Sequence, residues 1–247
     1  MSWTMPLLAA LLIGITLGLF GSGGSILTVP VLIFLLDMPE KLAISTALGV
    51  VALISFGAVL PYVWRRQVAG RLLTQLALPG MAGAALGGYV SQWLPAILQL
   101  LLLAALMLLS SINMWRAQPW QFQLPKVWQV MLAGTALGII TGLVGVGGGF
   151  LLVPLLLAIS DLSSQRVVAT SLALVFLQSA SGFVSLWFSQ PQLRPDLWLV
   201  GSFGLVGVVG SLLGLLALQY LPQRWFRRAF ALFLPLLAVS LVLQHWR

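Results

Sequence analysis

The chain has no cysteine, one histidine and four acidic residues in 247. Without cysteine there is no disulfide, no thiolate metal site and no cysteine nucleophile. His245 stands two residues from the C-terminus. The acids, Asp37, Glu40, Asp161 and Asp196, fall at the ends of apolar runs. No catalytic or metal-binding constellation can be assembled from this set, so no enzyme, cofactor or metal is expected. A carboxylate deep in an apolar span would suggest a proton relay or cation site, and none is visible. The scarcity of acids suits an anion path better than a cation path. Charge is sparse overall, at 6% of residues against about 25% in soluble domains. With 60% hydrophobic residues and a mean hydropathy of +1.08, no soluble fold of this size could hide its apolar surface. An integral membrane protein is expected.

What is abundant supports that class. Apolar spans run over about 4–20, 25–37, 42–63, 72–92, 95–115, 127–145, 149–160, 167–187, 197–219 and 226–245. All ten tryptophans lie at or near span ends, where amphipathic rings meet the headgroup layer. The net charge of +8 does not indicate nucleic acid, because the basic residues are scattered in short loops with no interleaved aromatics. The apolar N-terminus lacks a positive leader and has a repeat partner in mid-chain, so it is expected to belong to the fold.

The chain also repeats itself. Gly14-Ile-Thr-Leu-Gly18-Leu-Phe-Gly21-Ser-Gly23-Gly24-Ser25 through Pro30 returns as Gly138-Ile-Ile-Thr-Gly142-Leu-Val-Gly145-Val-Gly147-Gly148-Gly149 through Pro154, 124 positions later. Asp37 then falls on Asp161 and Thr46 on Thr170. Further on, Gly87 and Leu94-Pro95 match Gly214 and Leu221-Pro222 at an offset of 127. The expected organisation is an N-terminal repeat over 1–116, a linker over 117–126 and a C-terminal repeat over 127–247. Each repeat has five apolar segments, of which the second is too short to cross a bilayer, since crossing takes about 20 residues.

Loop charge sets the orientation. Arg65, Arg66 and Arg71 follow the third segment of the first half, whereas Arg224, Arg227 and Arg228 follow the fourth segment of the second. If both clusters are cytoplasmic, the halves cross in opposite directions. The expected fold is an all-α polytopic bundle of two inverted-topology repeats, each with a glycine-broken helix pair, giving eight full spans to ten segments. Counting each broken pair as one span gives parallel repeats instead, with the arginine clusters on opposite faces.

Glycine clusters before short helices are candidate anion sites. A helix start exposes unpaired N–H groups and the positive end of the macrodipole, and glycine admits a ligand close to the backbone. The candidate substrate-binding residues are Gly21, Gly23, Gly24 and Ser25 with Gly145, Gly147, Gly148 and Gly149, joined by the hydroxyls of Ser45, Thr46, Thr170 and Ser171. A hydroxyl bonded to the carbonyl one turn back is the alternative for those four. Ser55 and Ser179 also match in register, with Gln178 beside Ser179, and helix–helix hydrogen bonding is preferred for them. Gly14/Gly18, Gly138/Gly142, Gly83/Gly87 and Gly210/Gly214 are expected to be helix-packing pairs. Asp37 and Asp161 are expected to be capping or loop residues.

These motifs resemble the TauE/SafE sulfite exporter family, also called TSUP, whose halves each carry G-x-G-G-G, a proline and A-x-x-T-S-L. Here the second half has Gly145-x-Gly147-Gly148-Gly149, Pro154 and Thr170-Ser171-Leu172. The first has Gly21-x-Gly23-Gly24-Ser25, Pro30 and Ala43-x-x-Thr46-Ala47-Leu48. Ser25, Ala47 and Val167 depart from the pattern and leave the half-sites chemically unequal. The resemblance implies transport of a small, often sulfur-containing anion in a multi-pass protein of the cell (inner) membrane. The leading expectation is thus a secondary transporter working by alternating access. An anion channel and a non-transporting membrane scaffold are the alternatives. The expected partners are a small anionic substrate and the lipid bilayer. A coupling proton or ion and an oligomer are left open, and no nucleic acid is expected.

Overall fold

The computed structural model describes residues 4–20, 23–115, 126–160, 162–217 and, in the final segment, 232, 235–236 and 238–239. Among these residues every regular element is helical. The helices are α1 (Thr4–Phe20), α2 (Thr28–Leu36), α3 (Glu40–Trp64), α4 (Gly70–Val90), α5 (Ala96–Trp115), α6 (Val127–Val144), α7 (Gly149–Ile159), α8 (Ser164–Ser189) and α9 (Leu197–Ala217). A 3₁₀ turn, Gly23–Leu27, joins the glycine cluster to α2. Helices α3, α6, α8 and α9 are long and apolar enough to cross a membrane. Most of the tenth apolar segment, most of the linker, Gly21 and Asp161 lie outside the described residues.

Apolar composition forces helices here, because a bilayer offers backbone groups no partner except one another. The outer faces are correspondingly greasy: Leu78, Leu86, Leu205 and Leu213 are exposed. Trp64, Trp93, Trp128 and Trp198 are exposed at or beside helix ends, as an interfacial belt requires. Asp37 terminates α2 as its C-cap, in a left-handed conformation at φ 48°. Arg66 does the same beyond α3 at φ 53°, with Gln67 N–H donating to the Tyr62 carbonyl.

Glycine pairs decide which helices meet. A methyl group on Gly14 or Gly18 would strike the carbonyls of Gly207 or Ser211, and one on Gly210 or Gly214 those of Leu11 or Ile15. Thus α1 and α9 lie backbone to backbone, running in the same direction. The contacts recur elsewhere with each partner displaced by its own repeat offset. Gly138 and Gly142 press on the carbonyls of Gly80 and Ala84, and Gly83 and Gly87 on those of Thr135 and Ile139. Helices α6 and α4 are therefore also parallel and equally close. Small residues let helices approach in lipid, where dispersion rather than the hydrophobic effect drives association.

The long helices α3 and α8 cross between these pairs. Phe56 packs on Phe176 with ring centroids 5.2 Å apart, and Gly49 lies against Phe183, so α3 and α8 are antiparallel. Helix α3 runs beside α9, with Gly57 on Val208 and Leu53 on Gly204. Helix α8 runs beside α4, with Ser181 and Ser185 Oγ donating to the carbonyls of Met81 and Ala85 at 2.8 and 2.7 Å.

Candidate anion site at the crossing of the long helices

The second glycine cluster breaks the chain because its backbone leaves helical space three times. Gly145 ends α6 at φ 76°, Gly147 follows at φ 69°, and Gly148 begins α7 at φ 58°. Residues with a Cβ are disfavoured in that region by about 1–2 kcal/mol each, so glycine is needed here. Gly149, whose first-half counterpart is Ser25, has no positive φ. That explains why a serine fits at position 25, which is fully buried.

The turn sits halfway along the bundle. A Cβ on Gly147 would lie 2.9 Å from Val51 Cγ1, 3.1 Å from Val175 Cγ1 and 3.0 Å from Ser179 Oγ. Val51 is near the middle of α3 and Val175 near the middle of α8. The first cluster reaches the same region, because its 3₁₀ turn packs against α7. Gly23, Gly24, Ser25 and Gly145–Gly149 therefore belong to two adjoining turns.

The four candidate hydroxyls are not gathered at one point, although Gly145 packs on the backbone of Ile44, directly before Ser45. Thr46 and Thr170 lie near the starts of antiparallel helices, about 20 Å apart along the bundle at ~1.5 Å per residue. Each bonds its own helix: Thr46 Oγ1 donates to the Leu42 carbonyl at 2.8 Å, Thr170 Oγ1 to that of Arg166 at 2.7 Å and Ser171 Oγ to that of Val168 at 2.9 Å. Thr170 Oγ1 also accepts from Ala69 N–H at 3.0 Å, tying the α3–α4 loop to α8. Ser45 is buried beside Thr46.

The other matched pair departs from expectation in the opposite sense. Ser55 and Ser179 are fully buried, yet neither Oγ has a hydrogen-bond partner among the described residues. The interhelical bonds expected of them are absent among the described residues, and Ser179 Oγ lies toward Gly147 instead. Ser55 shares the face of Val51 and Ser179 that of Val175, one turn on in each case. In the α3–α8 register the two serines lie within about 5 Å of each other along the axis. Gln178 is buried too. Its Oε1 accepts from Thr141 Oγ1 at 3.3 Å, while its Nε2, against Gly80, has no partner. Thr28 Oγ1, in the first turn of α2, is likewise buried and unpartnered.

Charge is confined to the ends. Arg65, Arg66, Arg71, Lys126 and Arg166 gather where α3 finishes and α4, α6 and α8 begin. Asp37, Glu40, Lys41, Arg194 and Asp196 lie at the opposite end, where Lys41 Nζ donates to the Gln92 carbonyl at 3.1 Å. Arg194 is held over the Trp187 ring, 5.2 Å from its centroid. The core of the site thus offers neutral dipoles and donors.

The family description that matches this sequence is Sulfite exporter TauE/SafE, over residues 6–241. A "Probable membrane transporter protein" of Xylella fastidiosa strain 9a5c is 29% identical over 248 residues, covering 95% of this chain and 93% of that one. One of the same name from Haemophilus influenzae is 29% identical, covering 96% and 97%. The "Probable membrane transporter protein YunE" of Bacillus subtilis is 25% identical, covering 83% and 88%. These names denote transporters rather than enzymes. No solved structure matches.

Proposed function

The chain belongs to the sulfite exporter TauE/SafE family, and we propose on that premise that it is a secondary transporter. It moves a small sulfur oxyanion of the sulfite, sulfonate or thiosulfate type across the plasma membrane by alternating access. The observation that carries this reading is the pair of adjoining glycine turns at mid-depth, one starting α7 and one leading into α2. Broken helices at corresponding positions of two halves, aimed at a midplane site, are the hallmark of such transporters.

In this reading the halves are inverted repeats. Helix α1 parallels α9 and α3, while its counterpart α6 parallels α4 and α8, and α3 opposes α8; these directions support the inversion. The arginine-rich end then faces the cytoplasm, as positively charged loops do.

The moving bodies are not the sequence halves. Each fourth helix is exchanged: α1, α2, α3 and α9 form one body, and α6, α7, α8 and α4 the other. The seam between them is the α3–α8 crossing, with the glycine turns on it. Rocking there exposes the site to one side and then the other. Ser45–Thr46 and Thr170–Ser171 line the two approaches, one from each face.

Proteoliposomes carrying the full chain test the function, with sulfite, thiosulfate, sulfoacetate and taurine as solutes, with and without a pH gradient. Saturable flux with counterflow is expected. Flux that never saturates indicates a channel, and no flux of any solute overturns transport.

A further inference from the structure

We propose that Ser55 and Ser179 hold the transported anion, as a neutral pair of hydroxyl donors beside the glycine turn before α7. The inference rests on the transporter reading and deepens it by naming the side chains and the ligand chemistry. Both residues are fully buried, and neither side-chain hydroxyl has a partner among the described residues. An orphaned buried donor costs about 1–3 kcal/mol, so two at matched positions need a reason to persist.

Their placement supplies the reason. Ser55 and Ser179 occupy equivalent positions of the two halves and lie at nearly the same depth in the α3–α8 register. Ser179 Oγ points at Gly147, 3.0 Å from where a Cβ would stand. The start of α7 contributes its dipole at that spot. Gln178 stands behind the turn: its Oε1 lies toward Gly148 and Thr141, and its Nε2 lies against Gly80 of α4. The pair contains no arginine or lysine, so an anion is held by hydrogen bonds and helix dipoles without a counter-ion. Such binding is loose enough for release on each cycle. The ligand that fits is a small oxyanion whose oxygens accept from both hydroxyls and from the N–H groups at the start of α7.

The pair predicts an unusual mutational signature. Ser55→Ala and Ser179→Ala in the full chain remove unpaired polar atoms, so without ligand each variant melts at or above the wild-type temperature. Thermal stabilisation by sulfite falls in each. The KM for sulfite or thiosulfate flux rises about tenfold or more per donor removed. A structural role gives the reverse, with lower melting temperatures and unchanged KM. Wild-type KM and wild-type sulfite stabilisation in both serine variants overturn the pair's role while leaving transport intact. Absence of flux in wild-type vesicles overturns both.

Discussion

The helix seams make a quantitative claim, and Gly142→Ala is the sharpest probe of it. A methyl group there would lie 2.6 Å from Gly88 N and closer still to the Ala84 carbonyl. Restoring ordinary contact requires α4 and α6 to part by about 1 Å. A gap of that size forfeits a quarter to a half of each dispersion contact along the seam. Overpacking of this kind costs ~1–3 kcal/mol. Alanine's better helix propensity returns up to about 1 kcal/mol. The net expectation is a loss of about 1–2 kcal/mol. Gly201→Ala in α9 is the control, because nothing lies within 4 Å of its Cβ position. It should be neutral or stabilise by up to about 1 kcal/mol. Gly18→Ala, meeting Ser211 as Gly142 meets Ala84, should behave like Gly142→Ala. Tryptophan-fluorescence unfolding in mild detergent reads all three. If Gly142→Ala and Gly201→Ala shift the midpoint equally, the backbone-to-backbone seams do not exist.

Three other outcomes follow from local geometry. Thr170→Val should destabilise by about 1–3 kcal/mol, since it strands the Ala69 N–H. Thr46→Val, whose recorded bond is to its own helix, should cost less, and equal melting temperatures for the pair would contradict this. Asp37→Gly should raise thermal stability by about 0.5–1 kcal/mol, by relieving the φ of 48° and removing an acid from a helix C-terminus; a drop in melting temperature would assign Asp37 another task. Because the chain has no cysteine, Gly70→Cys and Gln192→Cys provide clean single thiols at exposed sites. A membrane-impermeant maleimide should label Gln192→Cys in intact cells and Gly70→Cys only after permeabilisation, and same-side labelling would refute the orientation.

Helix positions were readable in advance because lipid-spanning segments announce themselves by length and apolarity. Nine expected segments coincide with α1 through α9 apart from end shifts. The glycine pairs were recognisable as contact surfaces, but their partners were not. Nothing in Gly14 and Gly18 says that the matching groove lies on α9 rather than on the next helix. The candidate hydroxyls show a subtler limit. Register placed Thr46 against Thr170, but matched residues on antiparallel helices meet only near the helix middles. Thr46 and Thr170 begin their helices, so the relation that makes them equivalent also holds them far apart. Ser55 and Ser179, closer to the helix middles, lie at nearly the same depth. Their lack of partners is a property of packing and could not be read from residue types.

The α1–α9 contact also constrains how the chain is made. Some 190 residues separate the two helices, and at roughly 5–20 residues per second the ribosome needs on the order of ten to forty seconds to supply the second. For that interval Gly14 and Gly18 present an unfilled groove to lipid or to the insertion machinery. A polypeptide halted after α5 would leave two such grooves open, one on α1 and one on α4. Gene fragments divided at the linker should therefore accumulate only when expressed together, each acting as the missing scaffold of the other.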